Sequence, residues 1–354
     1  STKAGRMYGH QPQMYASAPG FQPQCVFAST PKTVSLLAKG GSLSVPAIGV
    51  GCWSWGDDKG VWGFGDYDKT LTQSSIASAF NSSLQNDLRL FDTAETYGSG
   101  LSEKIVGDLV RSSPLRNEIF VATKFQPGKW GNSKVRPAMV KAAKESCQRL
   151  GVKAIDLYQI HAPLHRDSFT DQGLGLADVV DAGLAKAVGV SNFSLEEVRQ
   201  VHAALASRGI PLASNQVEYS ILRQLPDTNG LKAGCEALGV KILAYSPLAM
   251  GRLTGKYSAS NEPKGNRGFG AVPMRDLEPL LATLREIGVR HGASPGQVAL
   301  AWVVAKGAVP LAGAKNAEQA SQNAGALKVN LTAQEVAQLS SMGRAGGTSN
   351  WQHG

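Results

Sequence analysis

Cysteine is scarce in this chain. There are four in 354 residues, Cys25, Cys52, Cys147 and Cys235, too few and too scattered for a disulfide framework or a zinc knuckle. A reducing compartment is the simpler setting. No apolar run approaches the ~20 residues of a membrane-spanning helix. The nearest, Val298 to Ala314, is interrupted by Lys306 and Gly307 and reads as a helix followed by a strand. Acid is missing from residues 1–56, which carry Lys3, Arg6, Lys32 and Lys39; the first carboxylate is Asp57. The formal net charge is +9, yet no stripe of Lys and Arg with interleaved aromatics points to nucleic acid. Familiar short motifs also fail. Gly49 to Gly56 lacks the spacing of a dinucleotide-binding turn, and Gly251 to Lys256 is one residue short of a P-loop, with Tyr257 in place of its Ser/Thr. Gly189 to Phe193 lacks the second Gly of a nucleophile elbow. His161 and His165 lack the Glu and helical setting of a zinc-protease motif, and no metal is assigned.

What the chain does have is a strand–helix rhythm. Residues 1–33 are rich in Gln, Pro and Gly without periodicity and predict an irregular basic arm. Their acid-free composition resembles the remnant of an organelle transit segment. A second reading makes the arm a docking element for an acidic protein partner. Val34 to Lys39 and Ser42 to Val45, joined by Gly40-Gly41, read as a hairpin. Strand-like runs follow at Ala47–Gly51, at residues ending on Asp92, Lys124 and His161, and at Ala185–Val190, Leu212–Gln216, Val240–Tyr245 and Ala308–Leu311. Helical patterns separate them. Ser194-Leu-Glu-Glu197, Ser294-Pro-Gly-Gln297 and Thr332-Ala-Gln-Glu335 read as helix N-caps. Eight strands alternating with helices predict a (β/α)8 TIM barrel spanning residues 34–342, with a flexible tail over 343–354.

The most informative residues lie at the ends of three successive strands. Leu88-Arg-Leu-Phe-Asp92 continues as Thr-Ala-Glu-Thr-Tyr97-Gly98; Glu118 to Lys124 ends on a cation; Ala154 to His161 ends on an imidazole. Singly, each is a plausible surface group. In order and spacing, at the carboxyl ends of barrel strands, they suggest proton donation to a carbonyl.

FDTAETYG, VATKF and LYQIHAP resemble the three strand-end signatures of the aldo-keto reductases, and the resemblance runs from about Ser44 to about Leu339. GVSNF, NQVEYS, AYSPLAMGRLTGKY and LAGAKNAEQASQNAGAL resemble that family's cofactor segments, in the family's order. Among its members the chain looks most like those of plant and algal plastids, which implies a chloroplast stroma or thylakoid-associated setting, or otherwise the cytoplasm. The resemblance implies an NADP(H)-dependent oxidoreductase acting on small carbonyl compounds, with a hairpin plugging the barrel floor. An alternative is a reductase barrel serving as an NADP(H)-binding subunit of a larger assembly with little turnover.

The chemistry fits these residues. No side chain donates hydride, so a nicotinamide is required. Tyr97 is the expected acid; a phenol titrates near pH ~10, and Lys124 beside it would favour the phenolate. Asp92 would hold Lys124 in place and protonated, and His161 would orient the substrate oxygen. The bland alternatives are an N-cap for Asp92, a loop aromatic for Tyr97 and a core histidine for His161. Ser191, Asn192 and Gln216 would pin the nicotinamide carboxamide, with Tyr219 stacked on the ring. Ser246, Pro247, Leu248, Gly251, Leu253 and Lys256 would surround the pyrophosphate. Gly313 and Lys315 would meet a 2′-phosphate at a helix N-terminus, with Gln319, Gln322 and Asn323 near the adenosine. The resemblance adds Cys52 and Trp53 to the cofactor set. Two positions depart from the family: Gln322 stands where many members have an acid, so a contact to the adenine amino group loses its charge, and Gln319 stands where some have an Arg, which weakens, without removing, the preference for NADP over NAD. Arg267 would add further positive charge. Trp53, Trp130 and Trp351 would wall an aromatic pocket or simply anchor their loops.

Overall fold

In the computed structural model, residues 32–56, 70–130, 133–263 and 272–343 are described. Of the expected 1–33 arm, residues 1–31 lie outside them, as do the expected tail beyond 343, Arg267, the side chain of Trp130 and the expected loop from Asp57 to Asp66. The first elements are β1 (Thr33–Ala38) and β2 (Gly41–Pro46), paired antiparallel as a hairpin. The barrel strands follow: β3 (Gly49–Gly51), β4 (Leu90–Asp92), β5 (Phe120–Phe125), β6 (Ile155–Ile160), β7 (Ala185–Ser191), β8 (Leu212–Glu218), β9 (Lys241–Tyr245) and β10 (Val309–Gly313). Each pairs parallel with the next, and β10 closes onto β3. The expected (β/α)8 barrel with its N-terminal hairpin is therefore the observed fold.

Helices α1 (Gln73–Gln85), α2 (Leu101–Ser112), α3 (Val135–Leu150), α4 (Phe169–Asp181) and α5 (Leu195–Ala206) connect the first strands. They are followed by α6 (Leu225–Thr228), α7 (Leu231–Ala237), α8 (Met274–His291), α9 (Pro295–Ala305), α10 (Ala317–Gly325) and α11 (Ala333–Ser341). All three caps read from the sequence are formed. Ser194, Ser294 and Thr332 each accept a hydrogen bond from the backbone N–H three residues on, and the side chain there returns one. Helix α9 is apolar nearly all round, with eight buried residues, because it packs beneath α8, α10 and α11 rather than at the surface.

Two apolar layers divide the work. One lies between the strands and the helices. The other fills the amino-terminal end of the barrel: Leu90, Phe120, Leu157, Leu243 and Val309 from the strands meet Leu36 and Val45 from the hairpin. The hairpin is thus a plug, and its turn is tied to the end of α4 by Lys39 and Asp181 at 2.8 Å. With one end filled by apolar side chains, polar groups inside the barrel are confined to the carboxyl end of the strands. The seam between β3 and β10 is tied there by buried Trp55, which donates to the Ala314 carbonyl at 2.8 Å. No described helix is long and apolar enough to cross a membrane.

Candidate active site

Asp92 ends β4, Lys124 is the penultimate residue of β5, and His161 follows β6 directly. Adjacent parallel strands bring their ends together, so the three expected groups meet at one mouth. Tyr97 joins them from the loop after β4. That loop is held closely: Gly98 and Ser99 have φ near +54°, and a Cβ at Gly98 would overlap the carbonyl oxygen of Gly56. Only glycine fits there without strain.

Lys124 is wholly buried and donates to Asp92 Oδ1 at 2.5 Å, to the Thr93 carbonyl at 2.9 Å and to the Tyr97 hydroxyl at 3.4 Å. Its three protons are therefore all used. Burial opposes its charge, but Asp92 and the Tyr97 hydroxyl outweigh that, and its pKa is raised. Burial also raises the pKa of Tyr97; Lys124 pulls it down without overcoming the desolvation. Lys124 therefore does not bring the phenol below its ordinary value. It moderates the cost of a buried phenolate, and at neutral pH Tyr97 holds its proton. His161 lies edge-on to Tyr97, with ring centroids 5.6 Å apart. Burial first and Lys124 second lower its pKa to about 3, so the imidazole is neutral. Its Nδ1 is buried without a hydrogen-bond partner among the described residues.

The second half of the mouth is built from amides. Ser191 ends β7 and donates to the Gln216 carbonyl at 2.7 Å. Asn192 follows at φ +62°, a left-handed conformation that Asn tolerates better than most residues. Its amide donates to the His161 carbonyl at 3.1 Å. Gln216 on β8 is nearly buried and donates to Asp92 Oδ2 at 3.0 Å. Trp53 faces Tyr97 with centroids 6.5 Å apart.

Several expected cofactor residues sit elsewhere. Tyr219 is fully buried; its ring packs on Trp302 and its hydroxyl donates to Asp227 at 2.7 Å. A ring with no accessible face cannot stack on a ligand. The aromatic beside the mouth's amides is instead Tyr245, the last residue of β9, half-buried, whose hydroxyl donates to Asn192 Oδ1 at 2.9 Å. Its signal in the sequence was its position: an aromatic ending an apolar strand, immediately before Ser246-Pro247. Cys52 is also fully buried; its N–H and carbonyl are taken by Asp92 and Ser102. It lies beside Asp92 in the interior rather than on the mouth. The Leu253 side chain is buried likewise.

Ser246 and Leu248 are half-buried in the loop after β9, next to buried Pro247, and Met250 and Gly251 have positive φ. Lys256 is exposed, with its ammonium 4.8 Å from the Tyr257 ring. Gly313 ends β10, exposed, and leads through half-buried Lys315 to α10, capped by Asn316. Gln319 accepts from the Lys315 backbone N–H at 3.0 Å, Gln322 from Ser294 at 3.4 Å, and Asn323 donates to the Gly313 carbonyl at 3.1 Å. Gln319 and Asn323 thus brace the segment leading into α10, and Gln322 ties α10 to the N-cap of α9. Two further groups escaped the sequence reading. Glu95, nearly inaccessible, accepts from the Gln126 N–H at 2.7 Å and from Lys129 at 2.8 Å. Gln159 on β6 donates to Asp92 Oδ2 at 3.2 Å. Among the described residues no acid, His or Cys cluster could hold a metal.

Residues 47–344 match the model of the aldo/keto reductase family. The chain is 37% identical to the chloroplastic pyridoxal reductase of Arabidopsis thaliana, over 85% of this chain and 84% of that protein. It is 30% identical to the L-glyceraldehyde 3-phosphate reductase of Escherichia coli, over 88% and 92% respectively. The crystal structure of an aldo/keto reductase from Klebsiella pneumoniae in complex with NADP and acetate superposes with a TM-score of 0.69 at 25% identity, covering 90% of this chain and 99% of that one.

Proposed function

Because the chain belongs to the aldo/keto reductase family, we propose that it reduces an aldehyde or ketone to an alcohol with NADPH, Tyr97 giving the proton. The observation that carries this reading is the hydrogen-bonded row of Asp92, Lys124 and Tyr97, with neutral His161 against the phenol. NADPH supplies the hydride when bound. The residues present suit it. Ser191, Asn192 and Gln216 offer hydroxyl and amide groups at neighbouring strand ends, and Tyr245 beside them offers an aromatic face. The loop after β9 offers positive-φ backbone at Met250 and Gly251, and α10 offers a capped N-terminus beside Lys315. Oriented backbone N–H groups and a lysine suit phosphates. The NADP named with the Klebsiella structure supports the same choice of cofactor.

Tyr97 donates to the substrate oxygen as negative charge develops there, and the Lys124 ammonium 3.4 Å away stabilises the phenolate left behind. Asp92 keeps Lys124 charged and fixed. The His161 imidazole is neutral and so orients the carbonyl by hydrogen bonding rather than by charge. Pyridoxal is the first substrate to try, since the Arabidopsis relative is named for it, and that name also supports a plastid location. The acid-free arm of residues 1–33 is proposed as a docking or transit segment. The test is to follow NADPH consumption by purified protein with pyridoxal, short aldehydes, quinones and sugars. Reduction of at least one to its alcohol is expected; failure with every class would remove the reading.

A further inference from the structure

Gln159 is wholly buried on β6, in register with Lys124 of β5. The proton-handling row has no evident need of it, yet it touches both halves of the mouth. Its amide nitrogen donates to Asp92 Oδ2 at 3.2 Å. Its amide oxygen accepts from the Gln216 nitrogen at 3.3 Å. That nitrogen also donates to Asp92 Oδ2 at 3.0 Å. Asp92 and the two glutamine amides thus form a closed triangle beneath the mouth. A carboxylate can only accept, so the triangle admits one orientation of both amides. The Gln216 nitrogen is committed inward, and what Gln216 can offer a ligand is its oxygen, an acceptor. A carboxamide N–H₂ group is the complementary partner.

From this geometry we infer that Gln159 is a positioning residue that couples the Asp92–Lys124–Tyr97 row to the cofactor-binding amide of Gln216. It does so without touching substrate. The inference rests on the proposed reductase function. Space for the side chain comes from the neighbouring strand: a Cβ at Gly189 of β7 would press to 3.2 Å from Gln159 Cγ and overlap the Ser214 hydroxyl. The two donors to Oδ2 hold the carboxylate so that Oδ1 faces Lys124. Without Gln159, Asp92 loses one of its three side-chain donors, and Gln216 loses one of the two acceptors that orient its amide, keeping only Asp92 Oδ2.

Two variants test it. Gln159→Met keeps the bulk and removes both amide functions. Gln159→Glu restores the donor only while its carboxyl is protonated. Burial and the Asp92 carboxylate that Gln159 touches favour that state; Lys124, in register on β5, is the cation opposing it, and Tyr97, His161 and Cys52 are the other titratable groups that interact with the Asp92–Lys124 pair. NADPH affinity, measured by titrating protein fluorescence, should fall about 3- to 10-fold in Gln159→Met, the loss of one buried hydrogen bond. Turnover should fall about tenfold with little change in carbonyl KM, because Gln159 has no surface at the mouth. Gln159→Glu should approach wild type in both measurements at low pH and lose them as pH rises, a limb the wild type lacks. Its cofactor-free melting temperature should fall over the same range, since the folded state then holds a proton the unfolded chain has released. Wild-type affinity and turnover in Gln159→Met would overturn the inference. So would losses in both variants that only track the fraction folded, with no pH dependence in Gln159→Glu. Wild-type turnover in the same assay reports separately on the reductase reading, and the NADPH titration reads Gln159 whether or not a carbonyl substrate is found.

Discussion

Lys124 is an inaccessible cation whose partners are all internal, so replacing it tests two things at once. Lys124→Met removes the charge beside Tyr97 and leaves the Asp92 carboxylate buried with only amide donors. Breaking a buried pair from one side typically costs about 3–5 kcal/mol. Turnover should collapse, and a denaturant titration should show a loss of that order; an unchanged midpoint would mean the pair is better solvated than its burial suggests. His161 makes a prediction with a definite sign. Its pKa is lowered to about 3, below the ordinary value of about 6.5. Between those limits the unfolded chain binds a proton that the folded one does not. Stability therefore falls with acidification from about pH 6.5 towards 3, and His161 should put no limb on turnover at neutral pH. Monitoring the His161 ring resonances against pH by NMR checks it; titration near pH 6 to 7 would contradict the burial argument. These residue-scale features were partly legible. The four candidate groups were visible in order, three at or next to strand ends and Tyr97 just after one. The balance at Tyr97 was not, because only the fold reveals how much water the phenol loses. Gln159 and Glu95 were invisible for a related reason: their role depends on which neighbour they reach.

Elements, rather than single groups, hold Tyr97 in place. The turn after β4 passes so close to Gly56 that Gly98 admits no side chain. Gly98→Ala should cost more than the ~1 kcal/mol at stake in a strain-free Gly-to-Ala change, and should lower turnover further than its melting temperature suggests, because the displaced turn carries Tyr97, the proposed acid. Wild-type turnover in that variant would show that the turn relaxes without moving the phenol. Behind the turn, α2 is anchored by Glu103, fully buried, which accepts from Thr123 of β5 at 2.6 Å and from Arg149 of α3 at 2.5 Å. Arg149→Ala would strand that carboxylate, and calorimetry should find a loss of several kcal/mol. At this scale the sequence was most readable where local chemistry decides: the hairpin glycines, the strand positions, the caps at Ser194, Ser294 and Thr332. It was least readable where a helix-start side chain has two uses. Gln319, Gln322 and Asn323 could face a ligand or brace α10, and nothing in local spacing distinguishes them. Tyr219 and Tyr245 differ in the same way. Tyr219 directly follows β8 and Tyr245 ends β9, but one rotates inward onto Trp302 and the other ends on the mouth.

Across the whole molecule, the plugged amino end leaves one polar end, and the proposed function puts cofactor, acid and substrate there together. NADPH should raise the melting temperature by mass action, since it binds only the folded barrel. Lys256 and Lys315 should make the rise larger than for NADH, through charge-assisted bonds to a 2′-phosphate. Equal shifts at equal concentration would sink the preference for NADP(H). The central claim, that this mouth reduces carbonyls with Tyr97 as acid, is tested most directly in Tyr97→Phe. Turnover of a substrate reduced by the wild type would be measured alongside an NADPH titration. Loss of a positioned acid predicts a fall of about 100-fold or more, with NADPH affinity and melting temperature retained. Wild-type turnover by the phenylalanine variant would contradict it.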